Sequence, residues 1–193
     1  MSLPRLFLVA HEMPLARAEA SLRAACQAGD VASLLIPPGL ARSLTPVAQS
    51  LGIAVLLDGE AREAMHAGCD GVLVDATAED ADIAGLRKSI GRDRIIGAYA
   101  GASRHYAMEA AEAGADFVAL DQTGPTTGGE PIVSWCAAFL NVPCVAFRPC
   151  ATADLDTLLP QKPDFIRPAD AMWTSETEAR RVVSELTQRL TNS

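Results

Sequence analysis

Aromatic residues are scarce in this chain: Phe, Tyr and Trp make up 5% of its 193 residues. The core must therefore be filled by aliphatic side chains and by alanine, which suits helices packed close on a sheet. No Cys-x-x-Cys occurs, and the five cysteines (Cys26, Cys69, Cys136, Cys144, Cys150) are odd in number. That argues against a disulfide framework or a zinc site and for a reducing cytoplasm. Positive charge is in deficit, 16 Lys and Arg against 24 Asp and Glu, for a net charge of -8. A nucleic-acid partner is not expected. An acidic protein that binds phosphorylated small molecules needs local Arg, backbone donors or a divalent cation. No apolar run approaches the ~20 residues of a membrane span. The run Leu6–Ala10 is too short for a secretory signal, and its flanks are wrong for one.

What the chain does have is a phrase it says twice. Residues 63–75 read EAMHAGCDGVLVD and residues 109–121 read EAAEAGADFVALD, so Glu63 and Glu109 begin copies 46 residues apart. Each copy encodes the end of a helix, a Gly (Gly68, Gly114) where a left-handed residue is needed, and an Asp that opens a short apolar strand. A second Asp (Asp75, Asp121) closes that strand. This is one joint of a repeating βα architecture.

Strand-like and helix-like runs alternate along the whole chain. The strands read Leu6–Ala10, Ala32–Ile36, Ala54–Leu57, Gly71–Val74, Ile95–Ala98, Phe117–Leu120, Cys144–Phe147 and Asp164–Ile166. Each is short and continuously apolar, as expected of buried parallel strands. In the last helix Ala179, Val182, Val183, Leu186 and Leu190 form one stripe behind a Ser175–Glu178 capping box. Pro131 fits the first turn of a helix carrying Ile132, Trp135, Cys136 and Phe139. Thr152–Pro160 makes only a short, poor helix. Eight βα units predict an α/β fold, a single (β/α)8 TIM barrel over residues 1–193, in which a 46-residue repeat is two units. An open doubly wound sheet would need fewer strands and usually a Gly-rich first turn, and Ala10-His11-Glu12-Met13-Pro14 has no Gly.

In a barrel, chemistry sits at the C-terminal ends of the strands. Asp70 and Asp116 open strands and fall at the opposite face, where turn or cap hydrogen bonding is the expected use. The rim is acidic in the middle of the chain and basic at its end. It carries His11 and Glu12, then Asp58, Asp75, Tyr99, Asp121, Arg148 and Arg167. Asp58 and Asp75 fall on adjacent strands, about 5 Å apart by strand spacing. At that distance they repel by about 3 kcal/mol at an effective dielectric near 20. Magnesium is the functional solution, with Asp58 and Asp75 as candidate ligands; solvation or helix capping is the plain one. Arg148 and Arg167 fall where barrels often bind phosphate, and pairing with Asp154 or Asp170 is the alternative use. The loop Pro125-Thr126-Thr127-Gly128-Gly129 could wrap an anion with backbone N–H groups, with Thr126 a candidate contact. His105 lies one helical turn beyond the fifth strand's loop.

The passages from strand three to four and from strand five to six resemble the thiamine phosphate synthase family, which includes a thiazole tautomerase branch. Ala67-Gly68-Cys69-Asp70-Gly71-Val72 is similar to that family's Ala-Gly-Ala-Asp-Gly-Val-His stretch. Ile95-Ile96-Gly97, followed by Ala113-Gly114-Ala115-Asp116-Phe117-Val118, is similar to its Ile-Gly-x-Ser … Gly-Ala-Asp-Tyr-Val stretch. Pro125-Thr126 resembles the start of its Pro-Thr-x-Thr-Lys loop. The likeness spans about residues 53–127 and implies a barrel of this size. It also implies a reaction that joins a pyrimidine pyrophosphate to a thiazole phosphate with magnesium. The family's site residues are largely replaced. Its Asn-Asp after strand three falls on Asp58-Gly59, and its second metal Asp falls near Glu79 or Asp80. Its His after Gly-Val falls on Leu73, its Ser after strand five on Tyr99, the tautomerase His on Gly101 and the loop Lys on Gly129. The Arg and Lys expected after strand two are absent from Ile36-Pro37-Pro38, and Phe147-Arg148-Pro149 replaces the paired Gly of the seventh strand's phosphate loop.

The resemblance therefore implies a divergent thiamine phosphate synthase, a cytoplasmic transferase with magnesium. Its assignments are Tyr99 or His105 at the heterocycle, Asp121, Thr126, Arg148 and Arg167 at phosphate, and Asp58, Asp75 and Asp80 at the metal. The alternative is a non-catalytic or altered-specificity barrel that binds a thiamine-related or other phosphorylated or heteroaromatic ligand. A third class, another phosphate-using barrel enzyme such as an isomerase or aldolase, has no strand-end Lys for a Schiff base. No membrane partner is expected, and barrels of this kind often self-associate, so a homo-oligomer is admitted.

Overall fold

A computed structural model describes residues 3–122 and 129–192. The described residues form eight strands: β1 (Arg5–Val9), β2 (Val31–Ile36), β3 (Ala54–Asp58), β4 (Gly71–Asp75), β5 (Ile95–Gly101), β6 (Phe117–Leu120), β7 (Cys144–Cys150) and β8 (Phe165–Pro168). All pair in parallel in chain order, and β8 returns to β1 to close the barrel. The helices between them are α1 (Leu15–Ala28), α2 (Pro38–Ser50), α3 (Ala61–Ala67), α4 (Ile83–Ile90), α5 (Arg104–Glu112), α6 (Ile132–Phe139), α7 (Leu155–Leu158) and α8 (Glu176–Thr191). This is the single (β/α)8 barrel that the alternation of runs predicts.

Side chains alternate between the two faces of a strand, and that alternation sorts the core into two shells. Outward residues such as Leu6, Leu8, Val55 and Leu57 pack under the helices with Leu22, Leu44 and Val183. Inward residues Phe7, Val9, Leu35, Leu56, Leu73, Phe117, Ala119 and Val145 fill the barrel, with Ile95, Tyr99, Phe147 and Phe165 against them. Four of the five phenylalanines are thus inside the barrel. The few aromatics are spent on the one space that Ala and Val are too small to fill. Phe7 meets Phe117 edge-on at 5.6 Å and Phe147 at 6.2 Å. Gly97 makes this possible, because a Cβ there would lie 2.1 Å from the Phe117 ring.

The doubled phrase folds as it reads. Gly68 and Gly114 leave their helices at φ 76° and 102°, a region that costs glycine nothing. The aspartate that follows each turn latches two strands at the bottom of the barrel. Asp70 accepts from the Val55 N–H of β3 at 2.8 Å, and Asp116 from the Ile96 N–H of β5 at 2.7 Å. Asp164, just before β8, does the same for the Cys144 N–H of β7 at 2.8 Å. Asp30, just before β2, uses its carboxylate on Arg5 of β1 instead, at 2.8 Å. One carboxylate therefore ties each odd strand to the next even one, which is why the repeat spans two βα units.

The stripe of α8 is buried as predicted, and Ser175 accepts from the Glu178 N–H to cap it. Between β7 and β8 the weak helix is α7 flanked by two 3₁₀ turns. Phe139 departs from the predicted core of α6. It stands 67% exposed and stacks on Trp135 from outside, because the helix ends there and turns its last position to solvent. Among the described residues no helix is long and apolar enough to cross a membrane.

Replacing Asp116 with Ala leaves the Ile96 N–H without its acceptor and takes the acid away from Arg87. The expected loss is about 2 kcal/mol of unfolding free energy, read from urea denaturation. Asp58→Ala at the opposite end should stay within about 0.5 kcal/mol of the wild type.

Candidate functional site

Strand parity carries the inward register up to the mouth. Two residues beyond Leu56 is Asp58, two beyond Leu73 is Asp75, two beyond Ala119 is Asp121, and two beyond Phe165 is Arg167. Two beyond Val9 is His11. All five, with Tyr99, Phe147 and Arg148, line one cavity of about 430 Å³ at the C-terminal end of the strands. The floor is apolar, with Val9, Leu35, Leu73 and the Tyr99–Phe147 ring pair, whose centroids are 5.5 Å apart. The rim is charged and divided. Asp58 and Asp75 stand on one wall, Arg148, Arg167 and His11 on the other, and Asp121 beside Arg148.

The acidic wall differs from its expected geometry. In the parallel register Asp58 lies opposite Leu73, and Asp75 lies opposite Tyr99. The stagger of the barrel therefore sets Asp75 two residues higher than Asp58, about 8 Å apart between backbones rather than about 5 Å. Asp75 also spends one oxygen on its own turn, accepting from the Thr77 N–H at 2.9 Å and the Thr77 hydroxyl at 2.7 Å. Asp58 makes no hydrogen bond or ion pair to the described residues. Asp80 sits in the exposed turn between β4 and α4 and does not line the cavity. Among the described residues no group of three or more His, Cys, Asp and Glu is placed to hold a metal. Of the expected trio, Asp58 and Asp75 line the cavity and Asp80 does not.

The basic wall is held in detail. Arg148 lies inside β7 rather than after it, because that strand runs on to Cys150. The Gln122 side chain donates to its carbonyl at 3.1 Å and accepts from its N–H at 2.9 Å, and its guanidinium is 3.6 Å from Asp121. Arg167 is buried at 9% exposure. Its Nη2 donates to both Asp170 oxygens at 2.8 and 3.1 Å, and its Nη1 to the Phe147 carbonyl at 3.3 Å. The guanidinium also lies over the Phe147 ring, 5.3 Å from the centroid. Its Nε is buried with no partner. Pairing with Asp170 and lining the cavity are thus both true of Arg167. Asp154 is not used by Arg148; its carboxylate accepts from the Ala151 N–H instead.

Tyr99 is half-buried between these walls. Burial, and then the Asp121 and Asp75 carboxylates, push its phenol above the ordinary tyrosine range, while Arg148 pulls it back. It is a hydrogen-bond donor at neutral pH. His105 belongs elsewhere: it opens α5 with its side chain 71% exposed, 3.2 Å from Glu109 one turn on, and outside the cavity. Thr126 and most of its loop lie outside the described residues. Glu12 turns from the cavity to accept from the Gly39 N–H at the start of α2. The sequence puts His11 on the rim without a role and offers Asp170 only as a partner for Arg167, while Phe147 is not singled out as a lining residue. Parity counted from Val9 and Val145 finds His11 and Phe147.

A closed eight-stranded barrel whose charged mouth opens over an aromatic floor defines a (β/α)8 barrel protein with a small-molecule-sized cavity at the C-terminal ends of its strands. The sequence model describing thiamine monophosphate synthase matches residues 39–148. A thiamine-phosphate synthase of Rhodospirillum centenum is 32% identical over 169 residues, covering 79% of this chain and 81% of that one. One of Hyphomonas neptunium is 32% identical over 177 residues, covering 81% and 79%. The chain belongs to the thiamine monophosphate synthase family. Among solved structures, a thiamine phosphate pyrophosphorylase from Pyrococcus furiosus superposes with a TM-score of 0.79 at 20% identity, covering 97% of this chain and 96% of that one. A 3-hexulose-6-phosphate synthase superposes at 0.70 with 17% identity, covering 95% and 99%, a likeness of fold alone.

Asp121→Asn removes a carboxylate that faces the Tyr99 phenol. The phenol's ionisation, followed by ultraviolet phenolate absorbance, should move down toward the ordinary tyrosine range. No movement would mean that burial alone sets it.

Proposed function

We propose that the protein is a divergent thiamine phosphate synthase, joining hydroxymethylpyrimidine pyrophosphate to thiazole phosphate at the barrel mouth. The observation that carries this reading is the split rim: acid on one wall, two arginines on the other, and an aromatic floor between them, in a chain of this family. A phosphorylated heterocycle presents the complementary pattern. The ring lies on Tyr99 and Phe147, and the phosphate lies against Arg148 and Arg167, whose planar forks match its oxygens. Asp121 orients Arg148 and is not itself a phosphate ligand, since two anions would repel.

Magnesium fits this mouth only with help from the substrate. Asp58 and Asp75 would hold it, and pyrophosphate oxygens and water would complete the shell, a usual arrangement for this ion. When bound it supplies positive charge where pyrophosphate collects negative charge. The chain's own residues do the rest: they orient the ring, hold the phosphate and keep water from the floor. Donors that the family pattern provides are missing at Leu73, Gly101 and Gly129, so turnover slower than that pattern allows is part of the proposal. The five cysteines carry no disulfide, which suits a reducing compartment.

One observation favours the alternative, a barrel that binds without turnover. Both rim arginines already face an aspartate, Arg148 at Asp121 and Arg167 at Asp170. Such neutralisation weakens the pull on a leaving pyrophosphate more than it weakens recognition of a ring.

Incubation with both precursors and magnesium should yield thiamine phosphate, with Asp58→Ala lowering the rate about a hundredfold or more. No product, together with a raised melting temperature on adding a precursor, would establish the binder. Neither product nor stabilisation would overturn both readings.

A further inference from the structure

The basic wall holds a third group that neither reading uses. His11 projects from the end of β1 with its Nε2 3.4 Å from Asp170 Oδ1 and 3.5 Å from Arg167 Nη2. The same Asp170 oxygen accepts from Arg167 Nη2 at 2.8 Å. One carboxylate oxygen is therefore shared between a guanidinium that is always charged and an imidazole that is charged only when protonated. His11 is 54% exposed, so protons reach it freely.

We propose that His11 is a proton-linked positioning residue of the anion site, taking up a proton when an anion engages Arg167. The proposal rests on the reading of this wall as a phosphate site. An anion arriving at the mouth meets Arg167 with its Nε buried and unpartnered, and draws on the guanidinium that Asp170 now holds. Asp170 and the anion then share one guanidinium, and negative charge is in excess. A protonated His11 restores the balance, because it lies within reach of the Asp170 oxygen that Arg167 gives up. The uptake is a proton transfer from solvent to the imidazole, with no other bond made or broken.

The surroundings give the sign. Asp170 favours the imidazolium and Arg167 opposes it. Across the mouth lie Arg148 paired with Asp121, and on the far wall Asp58 and Asp75. Glu12, next in the chain, is turned toward the Gly39 N–H. In the empty site the guanidinium at 3.5 Å is the nearest opposing charge. A bound anion cancels that opposition, so the bound state holds the proton more tightly than the free state. By linkage the anion binds more tightly at low pH, and the gain is lost as pH rises.

Sulfate is the probe, since its two charges do not change near neutrality, whereas a phosphate monoester gains charge near pH 6. Sulfate affinity of the full chain should fall by up to about tenfold from about pH 5 to about pH 8. It should vary far less in His11→Asn and in His11→Gln. Titration calorimetry of the wild type near neutrality, in two buffers of different ionisation enthalpy, should report net proton uptake and needs no variant to fold. Arg167→Gln is the control that places the sulfate, and should weaken its binding at every pH. Sulfate binding that depends on Arg167 but is flat with pH, or whose proton uptake survives in both His11 variants, overturns the proposal and leaves the phosphate site standing. Sulfate binding that is absent, or indifferent to Arg167→Gln, overturns the proposal and the phosphate reading together.

Discussion

The bottom of the barrel is held by a carboxylate at every second strand pair. A parallel barrel leaves backbone N–H groups unpaired where each strand begins, and a buried N–H without a partner costs more than most single contacts return. Asp70, Asp116 and Asp164 each meet one such group from the neighbouring strand at 2.7 to 2.8 Å. The acceptor is charged, so each bond is stronger than a neutral one. Side chains reinforce two of them: Gln49 reaches Asp70, and Arg87 reaches Asp116 while donating also to the carbonyls of Gly91, Arg94 and Gly114. Arg87 thereby ties the end of α4, the start of β5 and the turn into β6 to one guanidinium.

With the bottom pinned, the register of every strand is fixed, and parity decides what the top presents. A one-residue slip would send Asp58, Asp75 and Arg167 out under the helices and bring Leu57, Val74 and Ile166 into the mouth. The cavity's charge pattern is therefore a consequence of packing several residues below it. Phe7, Phe117 and Gly97 set the level at which the Tyr99–Phe147 floor sits, and the floor sets where a ring can lie.

The fold was legible because its signals are local and repeated. Gly68 and Gly114, the apolar runs, the α8 stripe and the strand-opening aspartates each report a backbone requirement that one short stretch can state alone. The site was legible in part. Asp58, Asp75, Tyr99, Asp121, Arg148 and Arg167 come together because each closes or lies near the end of a strand. His105 stands outside the cavity because a helix start after β5 points outward, a matter of rotation that position in the chain does not carry. Asp80 stands outside it because the turn after β4 spends its length in solvent. The separation of Asp58 from Asp75 is not legible in the sequence because shear is a property of the closed barrel, absent from any one strand pair. In the sequence Asp170 reads only as a surface partner for Arg167. That it also reaches His11, across 159 positions of chain, is a tertiary fact.

The two ends of the barrel obey different constraints, and that explains how a chain can hold a family's interior while changing its mouth. A bottom latch has few acceptable chemistries: three of the four are a carboxylate that reaches a strand N–H, and the fourth is Asp30 on Arg5. A barrel interior has one acceptable volume. Both are set by the chain itself, whatever ligand it meets. The mouth is set only by what enters it, and a phosphate can be held by backbone N–H groups at a Gly pair or by guanidinium forks on strands. Phe147-Arg148-Pro149 stands where the resemblance expects the Gly pair, and Arg167 stands on the neighbouring strand with Phe147 beneath its guanidinium. The exchange has a physical consequence. Backbone N–H groups carry no compensating anion, whereas each arginine here faces an aspartate, so charge must be redistributed before a phosphate can be held tightly. On the proposed reading, a mouth built this way suits a ligand whose ring does much of the binding and whose phosphate chiefly fixes its direction.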